Sequence, residues 1–160
     1  MSAARRVFLS LGSNLGDRAA HLDCARAGLE RAAIHIIRAS SVHETEPWGV
    51  ADQAKFLNQC LACESDLAPA DLLRTVKAIE RQCGREPGTR WGPRVIDIDL
   101  LLIEGVTVAD EALRLPHRHL TDREFVLAPL AEIAPDLPLP TGRTVGEQLA
   151  WLRHQGPHNG

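Results

Sequence analysis

The stretch that most constrains this chain is Arg90-Trp91-Gly92-Pro93-Arg94-Val95-Ile96-Asp97-Ile98-Asp99-Leu100-Leu101-Leu102-Ile103. It opens as a cationic turn-forming loop and becomes an almost unbroken run of Val, Ile and Leu, the composition of a buried strand. Two aspartates interrupt the run. Side chains alternate across a strand, so Asp97 and Asp99 project from one face, side by side. Two buried carboxylates carry desolvation and repulsion costs unless a cation sits on them. A hard divalent cation meets that need, with Arg90 and Arg94 near enough to take anionic oxygens. The stretch therefore predicts a Mg-phosphate site.

The chain around it is long enough, at 160 residues, for one well-cored domain. We expect that domain to span 1–153, with 154–160 as a disordered tail. A net charge of -3 argues against a general nucleic-acid binder. The apolar run Val7 to Leu11 is too short for a signal peptide or a membrane span, so a cytoplasmic location is the default. The cysteines Cys24, Cys60, Cys63 and Cys83 are read as reduced, buried thiols. Cys60 and Cys63 fall in a strand-like segment, where residues three apart face opposite sides, and no second pair completes a zinc site.

Taken in order, Arg6 to Leu11 reads as a strand ending in the polar turn Gly12 to Asp17. Asp17 caps a helix with Leu22, Ala25 and Leu29 on one side. The turn can cradle phosphate or serve only as a turn; it has no P-loop ending. Ile34 to Val42 and Lys55 to Ser65 are the next strands, separated by Glu44-Thr45-Glu46-Pro47-Trp48-Gly49. Phe56 and Asn58 share a face, as a heterocycle-binding pair or as a core Phe beside a capping Asn. Pro69 starts a second helix with the buried stripe Leu72, Val76, Ile79 and Cys83, ended by Gly84. Glu80 lies near its last turn, where the helix dipole disfavours an anion, so it is either solvated or faced by a cation. Arg85 to Trp91 is a cationic loop, a lid or a solvated connection. After the aspartate strand come a turn at Glu104-Gly105, a return strand Val106 to Val108, short helices over Val126 to Ile133 and Val145 to Leu152, and an extended Pro135 to Pro140. In Pro116-His117-Arg118-His119, phosphate or ribose binding by His117 is favoured over metal ligation.

Strand, helix, strand, strand, helix, strand is the split βαβ pattern. The expected class is therefore α+β, ferredoxin-like, with a largely antiparallel sheet flanked by helices in an αβα sandwich.

At this level of detail the chain resembles the 6-hydroxymethyl-7,8-dihydropterin pyrophosphokinase family of folate biosynthesis. The resemblance is carried by Arg90-x-Gly92-Pro93-Arg94-x-x-Asp97-Ile98-Asp99-Leu100-Leu101. In the expected order stand Gly12-Ser13-Asn14-Leu15, Glu44-Thr45-x-Pro47-x-Gly49, Phe56-Leu57-Asn58, Pro116-His117 and Arg123-x-Phe125. It implies transfer of the β,γ-pyrophosphoryl unit of ATP to the hydroxymethyl group of the dihydropterin, with Asp97 and Asp99 holding two Mg2+ ions and Arg85 and Arg94 assisting. It further implies a pterin site of Phe56, Phe125, Asn58 and the segment Thr45, Glu46, Pro47 and Trp48. On the ATP side it implies Glu80, Arg85, Trp91, Arg94, Leu100, His117 and Arg123, with Arg114 and Arg118 as cations near Ala112, where the pattern departs from some members. The 85–90 loop also departs: it lacks a basic residue common midway in the family and holds Pro87 after Glu86. We expect a monomer that binds neither nucleic acid nor membrane. Two rival readings fit less well: a non-catalytic ferredoxin-like binding module, opposed by the acidic pair and 4% aromatic content, and another Mg-nucleotide transferase, opposed by Phe56, Asn58 and Phe125.

Overall fold

The computed structural model describes residues 4–45, 55–85 and 95–155. Strand β1 (Arg5–Ser13) leads to helix α1 (Arg18–Arg31), then β2 (His35–Ala39), β3 (His43–Thr45), β4 (Phe56–Ser65), α2 (Pro69–Gln82) and β5 (Asp97–Ile103). A small ribbon of β6 (Val108–Ala109) and β7 (Arg114–Leu115) follows, and α3 (Glu124–Ile133) and α4 (Val145–His154) complete the chain. The main sheet runs β2-β4-β1-β5 with β3 also on β4, and its pairs are antiparallel. This is the α+β, ferredoxin-like order expected from the sequence.

Alternation along the two central strands divides the core in two. Val7, Leu9 and Leu11 turn to one face and meet Leu22 and Leu29 of α1 and Leu72, Val76 and Ile79 of α2. Phe8, Cys60 and Ala62 turn to the other and meet Leu127 and Leu130 of α3 and Leu149 of α4. The sandwich is thus helix pair, sheet, helix pair. Each fully buried Leu or Ile contributes about 1.5–3 kcal/mol by leaving water, so the two layers hold the sheet from both sides. Asp17 caps α1 by accepting from the Ala20 N–H, and Thr144 and Glu147 form a reciprocal capping box at α4.

Several expectations are corrected. Strand β1 continues through Gly12 and Ser13, and the turn begins only at Asn14. The strand expected over 34–42 is shorter, β2 over His35–Ala39 with a register shift between Ile36 and Arg38, and a separate short strand, β3, stands at His43–Thr45 where only a connection was expected. Val106 makes an isolated bridge to Ile103, while β6 pairs with β7 instead of returning along β5. Cys24 and Cys83 are not reduced: they form a disulfide joining α1 to the end of α2. Cys60 and Cys63 are free, buried and on opposite faces, and burial pushes both thiols up to about 12. Helix α4 runs through His154, with Gln155 as its cap, so these two do not belong to a disordered tail; 156–160 lie outside the described residues.

Candidate active site

Register puts the expected functional residues at one end of one sheet face. Gly12 stands directly opposite Asn58 on one side and Asp97 on the other, and Ser10 stands between Cys60 and Asp99 in the same way. Directly opposed residues share a face, so Asp97, Asp99 and Asn58 all project toward the α3 layer. The glycine has a physical reason to be there. A Cβ at Gly12 would come within 3.2 Å of Asn58 Oδ1 and 3.6 Å of Phe56 Cδ1. Sequence reading missed this role, although a Gly inside an apolar strand is itself a signal of close approach.

Asn58 is 4% exposed, and its amide nitrogen donates to Thr45 Oγ1 on neighbouring β3. Phe56 is the register partner of Thr45. Across the same face, Cys60 Sγ donates to the Val126 carbonyl at 3.5 Å, docking the start of α3 over β4. Phe125 precedes Val126 and is half-buried, with the Arg123 guanidinium 5.6 Å from its ring centroid.

The anionic end is braced by cations. Arg85 Nη1 donates to Asp97 Oδ1 at 2.7 Å and lies 3.1 Å from Glu80 Oε2. Glu80 is only 2% exposed, and its carboxylate also accepts from the Ile98 N–H at 2.7 Å. The cation expected to face this unfavourably placed anion is therefore Arg85, with Lys77 Nζ at 3.7 Å. Glu80 grips the backbone between the two aspartates, which makes it a support for them.

His117 is anchored by its N–H to the Leu101 carbonyl at 2.7 Å, just after the cis Leu115-Pro116 bond. Its Nδ1 accepts from the His119 N–H at 3.1 Å, which assigns the ring proton to Nε2. Burial holds its pKa below the usual histidine value, against the opposing pull of Asp99; Arg123 adds to the lowering. A neutral imidazole with one outward donor results.

Not every expected residue joins this group. The Leu100 side chain is buried in the α1/α2 core, on the face opposite Asp99, because it follows Asp99 by one residue. Arg114 and Arg118 are exposed, on β7 and just after the cis bond. Glu46, Pro47, Trp48, Trp91 and Arg94 lie outside the described residues.

Among the described residues there is no group of three or more His, Cys, Asp or Glu suited to a metal. The pair Asp97/Asp99 still fits Mg2+, which takes one or two protein carboxylates and completes its shell with water and substrate phosphate.

Comparisons with known proteins agree with this geometry. Residues 8–135 match the profile of the 7,8-dihydro-6-hydroxymethylpterin-pyrophosphokinase (HPPK) family. A 2-amino-4-hydroxy-6-hydroxymethyldihydropteridine pyrophosphokinase of Methylorubrum extorquens is 49% identical, covering 94% of this chain and 96% of the relative. A protein of the same name from Pseudomonas aeruginosa is 40% identical, over 95% and 94%. The crystal structure of Plasmodium falciparum HPPK-DHPS with pteroate superposes with a TM-score of 0.78 at 15% identity. It covers 97% of this chain, which spans 43% of that longer one, and the likeness concerns fold alone. A split βαβ sheet with an aspartate pair and a buried amide at one end, and relatives alike over nearly their whole length, have one reading: the chain belongs to the 7,8-dihydro-6-hydroxymethylpterin-pyrophosphokinase family.

Proposed function

We propose that this chain carries out its family's reaction, moving the β,γ-pyrophosphoryl unit of ATP onto the hydroxymethyl group of 6-hydroxymethyl-7,8-dihydropterin and releasing AMP. The observation that carries the reading is the double register of Gly12, whose two partners are Asp97 and Asn58. An anionic pair and a buried amide one strand apart suit a reaction that joins a charged phosphate chain to a flat, hydrogen-bonding heterocycle.

In this reading Asp97 and Asp99 hold two Mg2+ ions. Bound there, Mg2+ neutralises phosphate charge and makes a coordinated hydroxyl more acidic. The remaining work is positioning and charge compensation, as phosphoryl transfer requires. Arg85, His117 and Arg123 meet the triphosphate, with Trp91, Arg94, Arg114 and Arg118 completing the ATP side. His117, neutral with its proton on Nε2, donates to a phosphate oxygen. On the pterin side Phe56 and Phe125 stack on the ring, Asn58 hydrogen-bonds its edge, and Thr45, Glu46, Pro47 and Trp48 read the rest. An ATP-consuming reaction suits the cytoplasm; the Cys24–Cys83 disulfide, a bond rare in reducing compartments, pulls the other way.

The test is product analysis with ATP, Mg2+ and hydroxymethyldihydropterin. AMP and a pterin diphosphate are expected; ADP, or no turnover, overturns the reading. Asp97→Ala and Asp99→Ala should each lower kcat/KM by a factor of about 100 or more, in the range for removing a principal electrostatic group. Phe125→Ala should weaken pterin binding more than ATP binding.

A further inference from the structure

We propose that Arg18 is a positioning residue for the dihydropterin, fastening β3 to the head of β4 and so setting Thr45, Phe56 and Asn58. The inference rests on the pterin reading above. Arg18 is the first residue of α1, directly after the cap Asp17. Its Nη1 donates to the Lys55 carbonyl at 2.7 Å, and its Nη2 lies 2.9 Å from Glu44 Oε2. Glu44 immediately precedes Thr45, and Lys55 immediately precedes Phe56. Thr45 and Phe56 are themselves register partners. One guanidinium fork thus holds the two chain ends between which 46–54 run, each grip one residue from a proposed pterin contact.

The fork matters because β3 has only three residues, His43–Thr45, and among the described residues pairs only with β4. So short a strand makes few ladder bonds and needs side-chain fasteners. Successive residues face opposite sides. Glu44 is gripped from the α1 layer by Arg18, while His43 is gripped from the α3 layer by Glu132, which also accepts from the Ser41 N–H at 2.8 Å. The link to the ligand is direct, since the amide nitrogen of Asn58 donates to Thr45 Oγ1; a shift of β3 turns the amide that reads the pterin edge. Lysine cannot replace the fork, because a single ammonium lacks the fixed spacing of two guanidinium donors. The Arg18 and Glu44 side chains are 29% and 48% exposed, so the pair adds little global stability. Its effect falls on local geometry.

The test compares Arg18→Ala, Arg18→Lys and Glu44→Gln with wild type, measuring hydroxymethyldihydropterin binding by fluorescence and KM for each substrate. Arg74→Ala, which removes the exposed Arg74–Asp71 pair on α2, is the reference. Arg18→Ala should raise the pterin Kd and KM by about fivefold to tenfold, the scale of roughly one hydrogen bond's free energy. The KM for ATP should stay within about twofold of wild type and the melting temperature should match that of Arg74→Ala. Arg18→Lys should fall between. A merely structural role would instead lower the melting temperature and affect both substrates alike. Pterin affinity of Arg18→Ala within about twofold of wild type overturns the proposal. If that variant does not fold, Glu44→Gln decides: it keeps the bond to Lys55 and should weaken pterin binding by about twofold to threefold, and unchanged binding overturns it. Wild-type protein that binds no pterin refutes the functional reading itself, an outcome distinct from either.

Discussion

At the scale of single residues, Asp97 and Asp99 stay half-buried at the edge of the core, and Arg85 meets the first of them. Glu80 looks like an expense, an anion near a helix C-terminus and 2% exposed. It is held by the Ile98 N–H and Arg85, and in return fixes the backbone between the aspartates. Glu80→Ala would leave that N–H unpaired and Arg85 short of a partner, so it should cost about 2–4 kcal/mol of stability. Glu80→Gln, which keeps an acceptor, should cost less. Urea denaturation of both variants distinguishes them. His117 makes a pH prediction. Its folded pKa lies below the ordinary 6.5 because of burial, so as pH falls the unfolded chain takes up the proton first. The stabilising contribution is full above 6.5 and is lost as pH falls through the folded value. Without metal or nucleotide, wild type should lose more stability than His117→Asn across that window in denaturant titrations at several pH values.

At the scale of elements, the two helices behind the sheet meet closely enough to make one residue decisive. A Cβ at Gly28 of α1 would come within 2.8 Å of Ile79 Cγ2 on α2. Both helices are built on predictable apolar spacing, but their approach distance is not a property of either alone. Gly28→Ala gains helix propensity yet overpacks this contact. We expect a net loss of about 1–3 kcal/mol, read as a lower melting temperature; Ile79→Ala, which removes the clashing Cγ2, should cost less in that background than in wild type. Strand β3 teaches the same lesson. Its residues read as part of a connection, because His43–Thr45 is too short to show a period of its own and becomes a strand only through its pairing with β4.

At the scale of the whole molecule, the Cys24–Cys83 disulfide joins positions separated by 59 in sequence and closes a loop that includes β2, β3, β4 and α2. Cross-linking so long a loop restricts the unfolded chain, and reduction should cost about 2–4 kcal/mol. Comparing denaturation with and without dithiothreitol, with Cys24→Ser/Cys83→Ser as the control, measures it; an unchanged midpoint would mean the bridge adds nothing. The pairing was not legible because Cys83 sits on an ordinary apolar helical stripe and Cys24 on another element. By contrast, the shared face of Asp97 and Asp99, the capping of α1 by Asp17, and the opposed faces of Cys60 and Cys63 follow from the period of strand and helix and could be read directly. What the sequence determined by itself was periodic and local: which segments are strands or helices, which side chains share a face, and a motif specific enough to imply a family. Only the tertiary structure decided that Gly12 spaces the amide from the aspartates, that Leu100 turns away from them, that Glu80 supports them and that Arg18 fastens β3. Those are contacts between elements far apart in the chain, and their geometry is set by register and packing, which no local pattern encodes.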